Sequence, residues 1–336
     1  MIPILAVILS LGIGSLVILI VGGDPIKTFK DMLLECFTTG YGFGQVLQKT
    51  TQLIFTGMAV AIAFRGGIFN IGAEGQMTIG AFCIGIAGTF DYGLPKILTI
   101  ILCIFAGMAG GAVWGGIPGW LKSRFGAHEV ITTIMMNFIA FALVNWLIEI
   151  PGVAMKETVH TYSVLPNAQL PKLDSISEIF AGSTGNFSFF LAIFCAIAGW
   201  FYLFYTKPGY ELRATGLNPL AAETYGISTR KVTFFTMALS GAIASLAGAD
   251  FVLGYKHYFE LDFSTGVGFM GIAVALLARN HPIAVIPSAF LFGILAYGKI
   301  TLGVGVPKEL IEIIQAIVII MVVVLTAVGR RITRNI

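Results

Sequence analysis

The chain has 336 residues, of which 57% are hydrophobic and only 11% charged, with a formal net charge of +3. A soluble domain carries about 25% charged residues, so this composition excludes one and predicts an all-α integral membrane protein. Apolar runs of roughly 20 residues recur, the length that crosses a hydrocarbon core of about 30 Å, and the alternation of a lipid-embedded barrel is missing.

The first 21 residues, MIPILAVILSLGIGSLVILIV, lack the basic start and the small-residue cleavage site of a secretory signal and read as the first membrane helix. Nine further spans are predicted at 45–64, 70–90, 97–121, 129–150, 187–206, 232–254, 265–279, 282–298 and 309–329, about ten helices in one transmembrane domain over 1–336. Residues 151–186, interrupted by Pro151, Pro166 and Pro171, form the longest outer loop, and 207–231 the longest inner one. The inner loop predicts one short helix: Asn218 suits the cap, Pro219 the first helical position and Gly226 the stop. FAGMAGGAVWGG (105–116) reads as helix-packing surface.

The orientation follows from the cations. With the N-terminus inside, the inner segments collect Arg65, Lys122, Arg124, Lys207, Arg213, Arg230, Lys231, Arg279, Arg330, Arg331 and Arg334, which is eleven of the 20 lysines and arginines and every arginine. Both termini are then cytoplasmic, and topology accounts for the positive charge without nucleic acid. Glycine-rich segments begin near Gly66, Gly67 and Gly72 from one face and near Gly266, Gly268 and Gly271 from the other, each followed by a proline (Pro95, Pro282) and a longer span. Interrupted segments at matching places mark two inverted, pseudo-symmetric halves with short broken helices.

GGIFNIGAEGQMTIGAF (66–82) places Asn70, Glu74 and Gln76 among glycine and apolar residues. A carboxylate in a span faces a bundle interior or a wet cavity by default. Asn70 and Glu74, four apart, are expected on one helix face, with Gln76 pointing elsewhere. Two readings are open: a polar patch lining a substrate pathway, or a carboxylate that holds irregular backbone together. Asp250 is expected near the outer end of its span, facing a vestibule or the headgroups. Glu309, Glu312 and Gln315 recur every three residues along one helix face, and a solvated helix entry accounts for the two acids. Cys36 stands in a polar loop, and the cysteines and the four histidines form neither a disulfide framework nor a metal-ligand set. With no phosphate-cradling loop and no nucleophile–base arrangement, no catalytic residue is assigned.

Three stretches, AFRGGIFNIGAEGQMTIGAF (63–82), GLNPLAAETYGIS (216–228) and GFMGIAVALLARNHPIA (268–284), together resemble the permease subunits of ATP-binding-cassette importers for branched-chain amino acids, ribose-type sugars and nucleosides, nearest the nucleoside and simple-sugar branch. The stretch 216–228 is similar to that family's coupling helix, with Ala221, Ala222 and Gly226 on its spacing and Leu220 where its better-known form has glutamate. The resemblance implies that Gly216, Asn218, Pro219, Ala221, Ala222, Glu223 and Gly226 engage a separate ATPase, which uses ATP and Mg; this chain itself carries no cofactor. It further implies a second permease, copy or paralogue, an extracytoplasmic substrate-binding lipoprotein, and a bacterial cytoplasmic membrane. The outer loop is long enough to meet that binding protein. The implied function is import of a nucleoside along a path lined by Asn70, Glu74, Gln76 and Asp250. The alternatives are a simple sugar as cargo, an ion-driven carrier with Glu74 or Asp250 as its ion site, and a scaffold without transport.

Overall fold

The computed structural model describes residues 2–154, 158–263, 266–301 and 308–334, and among them helix is the only extended secondary structure. Isolated backbone bridges occur only around 151–186 and Glu260. Helix α1 (Ile2–Ile20) is followed after a 115° bend by α2 (Pro25–Thr38). The spans predicted from the sequence leave α2 as a connection, and Cys36 as loop. Instead Asp24 caps this helix, accepting from the Ile26 and Lys27 N–H groups, and Thr28, Met32 and Cys36 share its buried face. Apolar residues on one face only make a helix that a search for continuous apolar runs passes over.

Helix α3 (Gly40–Arg65) starts five residues before its predicted span and is the centre of the bundle, with 94% of its most apolar stretch inside the protein. It packs against α7 (Ser188–Tyr205), α10 (Thr229–Ala249), α11 (Val267–Leu277) and α12 (Pro282–Thr301). That position explains how one helix buries Gln48, Thr50, Thr51, Gln52 and Thr56 together. Helices α5 (Lys96–Phe125) and α6 (Glu129–Glu149) lie with α4 (Ala73–Ala87) in a second core, while α13 (Lys308–Arg334) packs on α1. Glycine sets the α5–α10 distance: a Cβ on Gly241 would stand 2.0 Å from the carbonyl oxygen of Gly111, so the 105–116 stretch is helix-packing surface as its small residues predict.

Five helices among the described residues are long and apolar enough to cross a membrane, and the α1–α2 pair makes a sixth if it counts as one broken span. The protein is a multi-pass membrane protein. Helices α4 and α11 have 15 and 11 residues, about 22 and 16 Å at 1.5 Å per residue, and neither crosses a 30 Å core alone. The predicted spans 70–90 and 265–279 are longer than these helices, which begin only after Gly72 and Gly266. Beyond Ala249, α10 widens into a π-helical stretch, Asp250–Lys256. The inner loop holds two helices where one is predicted, α8 (Lys207–Leu217) and α9 (Pro219–Thr224). The described part of 151–186 folds as short 3-10 turns, with the Asn167 side chain donating to the Leu94 carbonyl at 2.7 Å.

Candidate functional site

Helix α3 ends at Arg65 with Gly66 as its cap, and Gly67 continues in the left-handed region at φ +73°, which turns the chain away from the helix axis. The next residues are bolted to α6. Thr133 accepts from the Ile71 N–H at 3.3 Å, and Asn137 donates to the Ile71 carbonyl at 3.0 Å while accepting from the Gly75 N–H at 2.9 Å. One side chain thus satisfies a carbonyl of the irregular segment and a free donor of the first turn of α4.

Asn70 lies before that helix, not on it. Its amide pairs with Gln76, donating to Oε1 at 2.9 Å and accepting from Nε2 at 3.2 Å, and it also donates to Ser240 Oγ at 2.8 Å. The Asn70 oxygen accepts from the Gly72 N–H at 2.9 Å. This corrects the expectation that Asn70 shares a face with Glu74: helical spacing cannot apply across a helix start at Ala73. Both Asn70 and Gln76 are buried, and Ser240 extends their network to the Ala59 carbonyl of α3 at 2.7 Å.

Glu74 points the other way and is 3% exposed. Its Oε1 accepts from the Gly266 N–H at 3.0 Å and its Oε2 from the Gly268 N–H. Gly266, at φ +85°, begins α11 and has no side chain to cap it. Glu74 supplies the cap from 192 residues away in sequence. The two short helices meet closely: a Cβ on Gly268 would stand 2.4 Å from the Glu74 nitrogen. The carboxylate therefore sits at the positive ends of α4 and α11, where backbone donors and dipoles stabilise it. The same side chain borders a cavity of about 210 Å³ with Thr78, Phe141, Asn145, Phe263 and Phe269. Glu74 is a backbone clasp and a cavity wall at once.

Asp250 is fully buried inside the protein and does not face an open vestibule. Its Oδ2 accepts from Gln48 at 2.9 Å and Gln52 at 3.0 Å; its Oδ1 accepts from Asn186 at 2.9 Å and Ser188 at 3.1 Å. Four donors on four lone-pair positions satisfy an acceptor-only group. The cage joins α3, the end of the 151–186 segment and the π-helical turn, and Gly254 leaves the room that Asn186 occupies. The structure brings Asn70 and Gln76 together, sets Glu74 on the opposite side, and keeps Asp250 in a separate cluster. Glu312 lies in α13 and Gln315 is buried in it, while the side chain of Glu309 is outside the described residues.

The α8–α9 loop is built as its capping residues predict. Asn218 accepts from the Ala221 N–H at 3.1 Å. At the other end the Gly226 and Ile227 N–H groups bond the Glu223 and Ala222 carbonyls, with Gly226 at φ +79°. Ala222 is buried and Glu223 accepts from the Thr229 hydroxyl. Leu217, Leu220 and Tyr225 project outward at 87%, 77% and 87% exposure. Gly216 abuts the end of α3, and a Cβ there would stand 2.1 Å from the Arg65 carbonyl oxygen. Beside it Gly66, Gly67, Lys122, Thr215 and Arg230 border a hollow of about 380 Å³.

Residues 42–323 match the family model described as branched-chain amino acid transport system, permease component. The chain belongs to this family. The guanosine ABC transporter permease protein NupP of Bacillus subtilis is 38% identical over 327 residues, covering 96% of this chain and 92% of that relative. The nucleoside ABC transporter permease protein NupB of Lactococcus lactis is 32% identical over 331 residues, 96% and 90% of the two chains. A glucose ABC transporter permease of Haloferax volcanii is 31% identical over 337 residues, 96% and 86% of the two. The chain is an ABC transporter permease, a component that does not itself hydrolyse ATP.

Several residues of this permease site escape a sequence reading: Thr133, Asn137, Ser240, Gln48, Gln52, Asn186 and Ser188. Each is a polar residue in or beside an apolar span. The available signal is its type, since an amide inside a span needs partners. Among the described residues no group of three or more His, Cys, Asp or Glu could hold a metal ion.

Proposed function

We propose that this permease forms the translocation path for a nucleoside in an ABC importer, with the cavity beside Glu74 as part of that path. The observation that carries the reading is the meeting of two half-length helices, α4 and α11, around the Glu74 carboxylate at the edge of a hollow walled by Phe141, Phe263 and Phe269. Aromatic faces offer stacking to a planar base, and Asn145 and Thr78 offer hydrogen bonds to its edge. Interrupted helices at matching places are the arrangement expected of inverted repeats around a path, and support a ten-span single domain in two such halves. In this proposal Asn70 and Gln76 hold the irregular backbone before α4, and Asp250 ties α3 to the outer loop.

The arginine distribution supports an arrangement with both termini and the α8–α9 loop in the cytoplasm of a bacterium, its host membrane being the cytoplasmic one. There Gly216, Asn218, Pro219, Ala221, Ala222, Glu223 and Gly226 shape a docking helix for an ATPase that consumes ATP and Mg. The exposed Leu217, Leu220 and Tyr225 are its contact side chains. A second permease and a membrane-anchored binding lipoprotein complete the transporter. The likeness to a glucose permease supports a second reading, a simple sugar as cargo.

The test is uptake by the complete complex in proteoliposomes. Guanosine accumulation that requires ATP, and that excess glucose leaves unchanged, is the expected result. Accumulation without the ATPase refutes the coupling, and accumulation of glucose alone refutes the nucleoside. Replacing Asn145 by leucine or Phe269 by alanine is expected to lower uptake about tenfold with the complex intact, the loss of one polar or stacking contact worth about 1.4 kcal/mol.

A further inference from the structure

Three basic side chains from distant segments meet around one ring. Arg65, the last residue of α3, and Arg213, in α8, hold their guanidinium carbons 5.7 and 5.0 Å from the centroid of Phe204. The His281 imidazole stacks on the same ring at 5.7 Å. Burial, and after it the charge of Arg65, lowers the pKa of His281 below its ordinary value, so the charge gathered here at neutral pH is that of the two guanidinium groups. A ring face attracts each cation, but two such cations beside one ring repel.

No ion pair among the described residues relieves that repulsion. Those pairs are Lys122–Glu129, Lys207–Glu211 and Lys256–Glu260, and none includes Arg65 or Arg213. Arg65 Nε donates to the Asn280 carbonyl at 2.8 Å. The buried Nε of Arg213 has no partner, and neither has the buried side-chain oxygen of Asn280. Buried donors and acceptors are rarely left this way. An anion that accepts from guanidinium and also donates to an amide oxygen would satisfy both.

The same corner of the chain leads to an apolar groove. Arg279 and Asn280 both adopt the left-handed conformation, at φ 53° and 56°. Asn280 turns its carbonyl to Arg65, while the exposed Arg279 stands at the rim of a groove of about 520 Å³. Val7, Ile8, Leu277, Ala278, Ala284 and Pro287 line it, from α1, the end of α11 and the start of α12. Cations beside an apolar slot between membrane helices match an anionic headgroup with an acyl chain below it.

We propose that this corner seats an anionic phospholipid, with its phosphate on Arg65 and Arg213, Arg279 alongside, and an acyl chain in the groove between α1 and α12. Phosphatidylglycerol fits the donor requirement, because its glycerol hydroxyls can donate to Asn280. The lipid would link α3, α8 and the α11–α12 corner, three parts that no ion pair among the described residues joins.

The test compares the full transporter in nanodiscs of phosphatidylcholine alone and of phosphatidylcholine with phosphatidylglycerol. Native mass spectrometry reads retained lipid, and thermal unfolding reads stabilisation. Phosphatidylglycerol is expected to raise the unfolding midpoint of the wild type and of Lys207→Gln, an exposed cation elsewhere on α8. Arg65→Gln and Arg213→Gln are expected to cancel that gain and to cut retention about tenfold, as the loss of a charge-assisted hydrogen bond does. Ala284→Trp, which fills the groove and leaves the arginines in place, is expected to do the same and carries the test if the arginine variants fail to fold. Equal retention by wild type and variants overturns the proposal. So does the same gain from inorganic phosphate in phosphatidylcholine discs, which would mark a site for a free oxyanion. A lipid effect seen only when the ATPase is left out of the complex would assign the arginines to that subunit and overturn it equally.

Discussion

Replacing Glu74 by glutamine isolates the clasp between the two short helices. The carboxylate accepts from the Gly266 and Gly268 N–H groups at the start of α11. A hydrogen bond to a charged group contributes about 1.5–3 kcal/mol, and a buried donor left unpaired costs about 1–3 kcal/mol. Glutamine keeps one acceptor oxygen without its charge and turns an NH₂ group toward the other N–H. The expected loss is about 2–4 kcal/mol, and Glu74→Ala, which removes both acceptors, should lose about 3–5 kcal/mol. Glu74→Asp keeps the charge but is one methylene shorter, and should fall between wild type and glutamine. Tryptophan-fluorescence unfolding of the purified permease measures the order, and uptake by the whole transporter should follow it. A Glu74→Gln protein with the wild-type midpoint would refute the reasoning, because the start of α11 would then owe its stability to other groups.

Three further outcomes follow from the packing. Gly241→Ala drives a methyl group against the Gly111 carbonyl at 2.0 Å; with backbone on both sides the loss should be about 3 kcal/mol or more, read as a lower yield of folded protein. Asp250→Asn sets an NH₂ group among the donors Gln48, Gln52, Asn186 and Ser188. Turning a glutamine amide can relieve part of that conflict, so the unfolding free energy should fall by about 1–3 kcal/mol, and an unchanged midpoint would mean the cage does not carry a charge. Leu220→Asp alters a side chain that is 77% exposed; it should leave the permease's own unfolding unchanged while weakening ATPase association in pull-down about tenfold, roughly 1.4 kcal/mol.

Much of the architecture is legible in residue order. Continuous apolar runs mark α1, α5, α6, α7 and α10 because a helix that crosses a hydrocarbon core carries few charges along its length. The caps of α9 are local, so Asn218 and Gly226 announce them. Helix α2 stays hidden because its apolar residues cover one face only, and α8 because few of its eleven residues are apolar. The site is legible as a set of unusual residues and not as a set of pairs. Asn70 and Glu74 stand four apart, yet the helix begins between them, and Asn70 finds Gln76 instead. The partners of Glu74 and Asp250 come from segments far away in sequence, and spacing carries no information about groups that only folding brings together. Of the two readings of Glu74, the bond to irregular backbone is visible directly, and the cavity beside it keeps the pathway reading as our proposal.

Gly216 rests backbone to backbone on the last turn of α3 and on Gly67. No rotatable group lies in that joint, so it has no slack to take up a displacement. If the loop docks an ATPase as proposed, a displacement at Leu220 would pass through this contact to Gly67, three residues before the amide pair that begins at Asn70. A single methyl group at position 216 would act as a wedge in the linkage, holding apart the parts whose relative motion a pump must transmit.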